Sequence, residues 1–307
     1  MVDISVDLGF LKLKNPVLSA SGTFGYGTEF SPFIDLNRIG GFVVKGLYLT
    51  PKQGNPPPRL AETDCGLINS IGLPGIGVKR FLKEVFPQIK GLRTAIIINI
   101  CGENNQEYAS VAEYLDSHEE ISAFELNISC PNVKKGGTCP AQSPEETYEI
   151  VKLVKNSCST PVITKLSPNV TDITEIALSA QEGGSDAISL VNTFLALGID
   201  AETRKPSLGN VFGGLSGPAI KPIALRMVYQ TACAVKIPVI GIGGIMTGKD
   251  AVEFIIAGAR AVQVGTANFI SPDSTLRIID EMKTFCKEHN IKRIKDLTGT
   301  IDLDSQQ

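Results

Sequence analysis

The sequence predicts a single (β/α)8 barrel, an α/β fold in which eight parallel strands alternate with helices. Three observations carry that expectation. Eight short apolar runs recur along the chain, amphipathic stretches separate most of them, and the 307 residues exceed the ~250 typical of one barrel. The rival is an open doubly wound sheet, which usually has fewer strands and begins on a glycine-rich turn. No GxGxxG opens this chain.

Taken in order, Ile4–Val6 and Phe10–Leu13 flank Leu8 and Gly9 as an amino-terminal hairpin covering the barrel floor. The expected barrel strands are Pro16–Ser19, Gly41–Lys45, Ala95–Ile100, Ala123–Ser129, Val162–Leu166, Ala187–Val191, Val239–Gly243 and Ala261–Gly265. Strands covered on both faces read as near-continuous apolar runs, as most of these do. The clearest helices are Val111–Leu115, Glu145–Asn156, Val170–Gln181, Pro222–Val235, Gly248–Ala257 and Ser274–His289. Several have Ser, Thr or Asp near their starts, and Ser143-Pro144-Glu145-Glu146 is the best cap. Two connections are long: Gly46–Gly75 after the second strand and Asn192–Gly217 after the sixth. Long insertions on the carboxyl face serve as lids or specificity elements. No internal repeat or low-complexity linker divides the chain, so residues 1–307 form one domain.

Composition excludes several classes of function. Lys and Arg number 29 against 32 Asp and Glu, and a net charge of −3 recommends neither nucleic acid nor an acidic membrane as a partner. No apolar run approaches a membrane span and the first residues lack a signal pattern. The seven cysteines (65, 101, 130, 139, 158, 233 and 286) are scattered, without CxxC or a Cys/His cluster. Structural zinc or an iron–sulfur site on this chain is therefore not expected, and no metal is assigned. With two histidines, both in polar surroundings, a His-based triad is not expected either. The expectation is a soluble, reduced, cytoplasmic protein.

Chemistry concentrates at strand ends. In ELNISCPN (125–132) an apolar strand runs straight into Ser129, Cys130, Pro131 and Asn132. Pro131 cannot continue a ladder, so the strand ends there. That places an amide, a hydroxyl and a thiol at a carboxyl end, where barrels build active sites. A thiol beside amides can act as base or nucleophile; a lone cysteine is otherwise a small buried apolar group. Asn99, Asn127 and Asn192 end three different strands, and three converging amides suit a flat heterocycle with alternating donors and acceptors. Lys45 (FVVKG) and Lys165 (VITKLSP) also end apolar strands. Each reads as a Schiff-base former, as a fixed positive charge facing a carboxylate or an electron-rich cofactor, or as a snorkelling structural residue. The last two strands end in Gly243-Gly244 and Gly265-Thr266, where glycine lets backbone N–H groups approach a phosphate; simple turn glycine is the plain alternative. The proline-stiffened NPPPRL (55–60) leads into GLINSIGLPGIG (66–77), which presents Asn69 and Ser70 as a substrate lid wall or as an exposed irregular loop.

Together these segments resemble the dihydroorotate dehydrogenases, flavin enzymes of pyrimidine synthesis. NSIGLPG, ELNISCPN, KLSPN, LVNT, GGLSGPAIKP and GIGGI occur in family order, and the resemblance runs from ASGTFGYG (20–27) through VGTANF (264–269). It implies FMN at the barrel mouth, surrounded by Ser21, Lys45, Gly46, Asn99, Asn127, Lys165, Val191, Gly217, Gly243, Gly244, Gly265 and Thr266. It implies that Lys45, Asn69, Ser70, Ile71, Gly72, Leu73, Asn127, Asn192 and Thr193 hold the pyrimidine, with Cys130 as the base. Cys130 matches the soluble class 1 enzymes. SGTFGYGTEF and LVNTFLALGIDAETRKP are similar to the B type, which passes electrons to NAD+. That type pairs two catalytic chains with two subunits carrying FAD and a 2Fe–2S cluster. The fumarate-reducing homodimeric A type is the runner-up. A Schiff-base lyase using Lys165, or a silent scaffold barrel, are the readings outside this class.

Overall fold

The computed structural model describes residues 2–129 and 140–303. The chain opens on a hairpin of β1 (Val6–Asp7) and β2 (Lys12–Leu13), then lays down β3 (Val17–Ser19) and β4 (Gly41–Val43). The first long connection contains β5 (Leu60–Thr63) and β6 (Gly66–Asn69). Next come β7 (Ala95–Ile100), β8 (Ala123–Asn127), β9 (Val162–Lys165) and β10 (Ala187–Leu190). The second long connection holds β11 (Phe194–Leu197), β12 (Ile199–Asp200), β13 (Lys205–Pro206) and β14 (Phe212–Ser216). The chain then returns to the barrel with β15 (Val239–Ile242) and β16 (Ala261–Val264).

Strands β3, β4, β7, β8, β9, β10, β15 and β16 close into a parallel barrel in that circular order, each beside its neighbour in sequence. They are the eight expected strands; β7 keeps its expected bounds and the other seven are one or two residues shorter. Every residue of β7 is buried, as are those of β9, β10, β15 and β16. This double burial explains why they read as apolar runs without clean alternation. The hairpin lies at the amino end. Arg260, just before β16, donates to the Asp7 carbonyl at 3.4 Å, and Lys14 donates to the carbonyls of Asn37 (2.7 Å) and Arg93.

Outer helices span Asn105–Leu115, Pro144–Ser157, Ile173–Glu182, Lys221–Ala234, Gly248–Ile256 and Ser274–Glu288. The first begins six residues before the expected Val111. Its opening turn is polar, which hides the apolar period, but Asn104 caps it by accepting the Glu107 amide at 3.0 Å. A further helical stretch, residues 78–89, was not expected; Pro87 interrupts its pattern and a widened turn, Phe81–Val85, sits inside it. Ser143 caps the helix before β9 by accepting the Glu146 amide at 3.3 Å. Thr247 and Asp250 form a reciprocal capping box at the start of Gly248–Ile256.

The two long connections are not loops alone. Their strands pair across the sequence into a four-stranded antiparallel sheet in the order β11-β14-β6-β5. Gly214 faces Asn69 and Leu215 faces Ile68 in its central pair. Strands β12 and β13 form a small separate hairpin. The inserted sheet therefore walls one side of the carboxyl end. Among the described residues no helix is long and apolar enough to cross a membrane.

Candidate active site

Strand periodicity builds the site from below. Residues two apart on a strand share a face, so β8 turns both Glu125 and Asn127 inward. Across the β7–β8 register Glu125 stands opposite Asn99, and across β8–β9 Asn127 stands opposite Lys165. Ser189 on β10 stands opposite Lys165 in turn. All of these side chains are buried.

Their hydrogen bonds run in one direction. The Asn192 amide nitrogen donates to Ser129 Oγ at 2.7 Å, and that hydroxyl donates to Asn127 Oδ1 at 3.2 Å. Asn127 Nδ2 donates to Asn99 Oδ1 at 3.1 Å, and Asn99 Nδ2 donates to Glu125 Oε1 at 2.8 Å. The Asn192 oxygen accepts the Thr193 amide at 2.9 Å. Every amide oxygen in the line is thus engaged, and the hydrogens to spare are N–H donors. Lys165 Nζ adds a cation 3.4 Å from Glu125 Oε1. The mouth is therefore suited to a ligand rich in carbonyl or carboxylate oxygens. Cys130, the expected base, lies outside the described residues; it follows Ser129 directly in the chain.

The other expected residues fall around the same carboxyl end. Lys45 and Gly46 follow β4, and a methyl carbon placed on Gly46 would sit 2.7 Å from Cys101 Sγ and 3.1 Å from Asn99 Oδ1. Only glycine lets the β4 end lie that close to the amides. Lys45 is half-buried, and among the described residues its ammonium has no hydrogen-bond or ion-pair partner. Burial pushes it below a lysine's ordinary 10.5; Glu29 opposes that shift and Arg59 adds to it. Ser21, after β3, donates to the Val44 carbonyl at 2.9 Å. Val191, after β10, is buried and donates its amide to Ile242 at 3.0 Å.

The inserted sheet brings the remaining residues over this floor. Asn69 Nδ2 donates to the Gly214 carbonyl at 3.1 Å, which commits part of that amide to the sheet. Ser70 is buried, and its hydroxyl accepts from Asn55 at 3.1 Å, while the Ile71 carbonyl accepts the Asn55 amide at 3.0 Å. Gly72 and Leu73 both have positive φ, 74° and 48°. That turn folds the segment back until the Leu73 side chain comes within 3.9 Å of the space a Gly46 methyl would take. Thr193 lies against Gly214, the residue paired with Asn69, so both long connections meet at this point.

A second part of the mouth is made of backbone. Gly243 (φ 132°) and Gly244 (φ 71°) follow β15, and Gly217 (φ 98°) precedes the helix Lys221–Ala234. A methyl on Gly244 would lie 2.9 Å from the Gly217 carbonyl oxygen and 2.8 Å from Lys221 Cβ; one on Gly243 would lie 2.7 Å from Ala224 Cβ. Gly265 differs, since the nearest atom to its would-be methyl is Ala20 Cβ at 3.6 Å, leaving its backbone open. Among the described residues, no acceptor engages the amide N–H groups of Gly243, Gly244, Gly265 or Thr266. Free backbone donors at adjacent strand ends fit a phosphate. Lys221 beside them is already bound to Asp250 (2.5 Å) and Glu253 (2.8 Å). Thr266 Oγ1 donates to Ser216 Oγ at 2.8 Å and ties this cradle to the inserted sheet. A phosphate cradle beside a pocket of amides and a buried lysine fits the two ends of FMN.

Sequence reasoning passed over Glu125, Ser189, Gln263 and Asn169, and placed the Ser129 hydroxyl at the strand end without giving it a partner. Asn169 donates to the Thr193 carbonyl at 3.1 Å and accepts the Leu195 amide at 2.9 Å, anchoring the start of β11. The available signal was a charged residue inside a strand, Glu125 two places before Asn127. Among the described residues, no group of three or more His, Cys, Asp and Glu is placed to hold a metal.

Known proteins share this chain's fold and much of its sequence. The family model described as dihydroorotate dehydrogenase matches residues 4–286. A Bacteroides thetaiotaomicron protein named dihydroorotate dehydrogenase B (NAD(+)), catalytic subunit, is 52% identical over 303 residues, covering 99% of this chain and all of that protein. The protein of the same name from Geobacter sulfurreducens is 51% identical, covering 98% and 99% of the two chains. Among solved structures, DHODH from Eimeria tenella in complex with ferulenol superposes with a TM-score of 0.80 over 99% of this chain and 89% of that one. At 22% identity it speaks for the fold alone. With a matching family model over nearly its whole length and relatives at half identity, the chain belongs to the dihydroorotate dehydrogenase family.

Proposed function

We propose that this chain oxidises dihydroorotate to orotate in pyrimidine synthesis, as the catalytic subunit of an NAD+-linked enzyme. The observation that carries the reading is the line Asn192–Ser129–Asn127–Asn99 at one barrel mouth, with Cys130 next in sequence to Ser129. FMN fits the same mouth. Gly243, Gly244, Gly265 and Thr266 would take its phosphate, with Gly217 closing the cradle. Ser21, Lys45, Gly46, Asn99, Asn127, Lys165 and Val191 would line its ring. Bound FMN supplies the acceptor for the hydride leaving C6 of the substrate.

The chain's own residues do the rest. Cys130 removes the proton from C5 as a general base. Asn127, Asn192 and the 69–73 turn hold the ring in register, and Thr193 closes the edge. Lys45 pairs with the substrate carboxylate, and the amide donors stabilise charge as it grows on the neighbouring carbonyl. Holding the ligand against a flat cofactor replaces a bimolecular encounter with a fixed geometry. Lys165 does not resemble a Schiff-base former. Such lysines are set up by apolar surroundings or a second cation, whereas Lys165 has a buried carboxylate beside it.

Onward transfer to NAD+ belongs to a partner subunit carrying FAD and a 2Fe–2S cluster, two of them on a homodimer of this chain. The relatives' name, catalytic subunit, supports a separate electron-transfer subunit. The test is direct. The purified chain should be yellow with one FMN, and anaerobic dihydroorotate should bleach it. A colourless protein that takes up no flavin refutes the reading.

A further inference from the structure

Beneath the asparagines lies a carboxylate for which the proposed chemistry has no use. Glu125 is fully buried, and donors from four other strands converge on it. Its Oε1 accepts from Asn99 at 2.8 Å and from the Lys165 ammonium at 3.4 Å. Its Oε2 accepts from Gln263 Nε2 at 2.6 Å and from Ser189 Oγ at 3.1 Å. Branched aliphatic side chains ordinarily fill such a barrel layer, and a buried ion pair is weak evidence of stability in itself. The layer is also imperfect as a structural network, since Gln263 Oε1 is buried with no hydrogen-bond partner among the described residues. Its organisation centres on the carboxylate and the Lys165 ammonium facing it.

We propose that Glu125 tunes the flavin site by opposing Lys165, its buried charge offsetting the ammonium and so setting how strongly the mouth favours negative charge on a flavin. The inference rests on the FMN reading above. A lone ammonium in a low-dielectric mouth would strongly favour the charge that reduction adds to the ring. A carboxylate 3.4 Å away turns that isolated charge into a dipole, whose field falls off faster. This matters for an enzyme linked to NAD+, a weak oxidant: an over-stabilised reduced flavin would keep its electrons.

The experiment is a dye-equilibrated midpoint potential of the FMN-loaded chain, parent against Glu125→Gln. The substitution keeps the shape of the side chain, and the unpartnered Gln263 oxygen can turn to accept the new amide hydrogens. At a fixed solution potential the reduced-to-oxidised ratio should rise at least tenfold, about 30 mV for a two-electron couple. Lys165→Met should lower the ratio, and on that background Glu125→Gln should raise it again, since the carboxylate's field acts whether or not the ammonium is there. A Glu125→Gln ratio within threefold of the parent overturns the proposal, as does a Lys165→Met ratio at or above the parent's. Glu125→Asp withdraws the charge by one methylene and should raise the ratio by less. If the Gln variant cannot hold FMN, an unmoved Asp variant overturns the proposal instead. A parent that binds no FMN refutes the cofactor reading and this inference together. A yellow parent bleached by dihydroorotate, with an unmoved Glu125→Gln potential, refutes this inference alone.

Discussion

A free thiol titrates near 8.5 and lower where cations or amides favour the thiolate, so Cys130 is suited to take a proton from carbon. Cys130→Ser substitutes a far weaker base of nearly equal size. It should leave FMN bound and slow anaerobic flavin reduction by roughly 100-fold or more, read in a stopped-flow trace; reduction at the parent rate would remove Cys130 from the base's role. Lys45 makes a different demand on pH. Burial depresses its pKa below 10.5, so the ammonium is lost earlier than usual as pH rises. Orotate affinity should be full on the acid side and weaken as pH climbs through that lowered value. Lys45→Met should bind about 10- to 100-fold more weakly, the worth of one charge-assisted hydrogen bond at ~1.5–3 kcal/mol, and its profile should be flat over the same alkaline range. A sloping profile in the variant would assign the titration to another group. The strand-end residues were legible because Asn, Lys and Cys are conspicuous where an apolar run stops. Glu125 and Gln263 were not, because a polar residue inside a strand reads as its solvent-facing half. In a closed barrel there is no solvent face, and here the polar side chains meet one another inside.

Among the elements, the barrel and the inserted sheet differ in what wrote them into the sequence. Strands such as Ala95–Ile100 and Val162–Lys165 are buried along their whole length, and their apolar character survives without knowledge of their neighbours. Strands β5 and β11 are largely exposed, and β14 contains Gly213 and Gly214. The central β14–β6 pair joins segments well over a hundred residues apart, so no local pattern announces it. The glycines are what permit it. A methyl on Gly214 would lie 1.9 Å from Thr193 Oγ1 and 2.6 Å from its Cβ. Gly214→Ala should therefore push Thr193 and β14 away from Asn69, costing about 1–3 kcal/mol as an overpacked contact does. The free amides of the phosphate cradle follow β15 and β16, and only its Gly217 edge follows β14, so FMN content should hold while KM for dihydroorotate rises several-fold. Loss of flavin in step with KM would mean that the inserted sheet supports the cofactor and not the substrate wall.

For the molecule as a whole, one mouth has to receive two reactants. The parallel barrel presents all eight carboxyl ends on one side, and the sheet β11-β14-β6-β5 walls part of that side. A flavin laid over Asn99 and Lys165, as proposed, would turn one face to the barrel floor and leave the other to dihydroorotate. A nicotinamide ring would have to compete for the same face, so electrons bound for NAD+ need an exit that does not displace the pyrimidine. A separate subunit meeting the flavin at its edge would provide one, in keeping with relatives named as catalytic subunits. The isolated chain should therefore oxidise dihydroorotate with a small artificial dye yet form NADH at least 100-fold more slowly than with dye. Adding the electron-transfer subunit should restore NADH formation without raising the dye rate. If the isolated chain makes NADH as fast as it reduces dye, with orotate and NAD+ competing, then both reactants take turns at one flavin face and the two-subunit route is wrong.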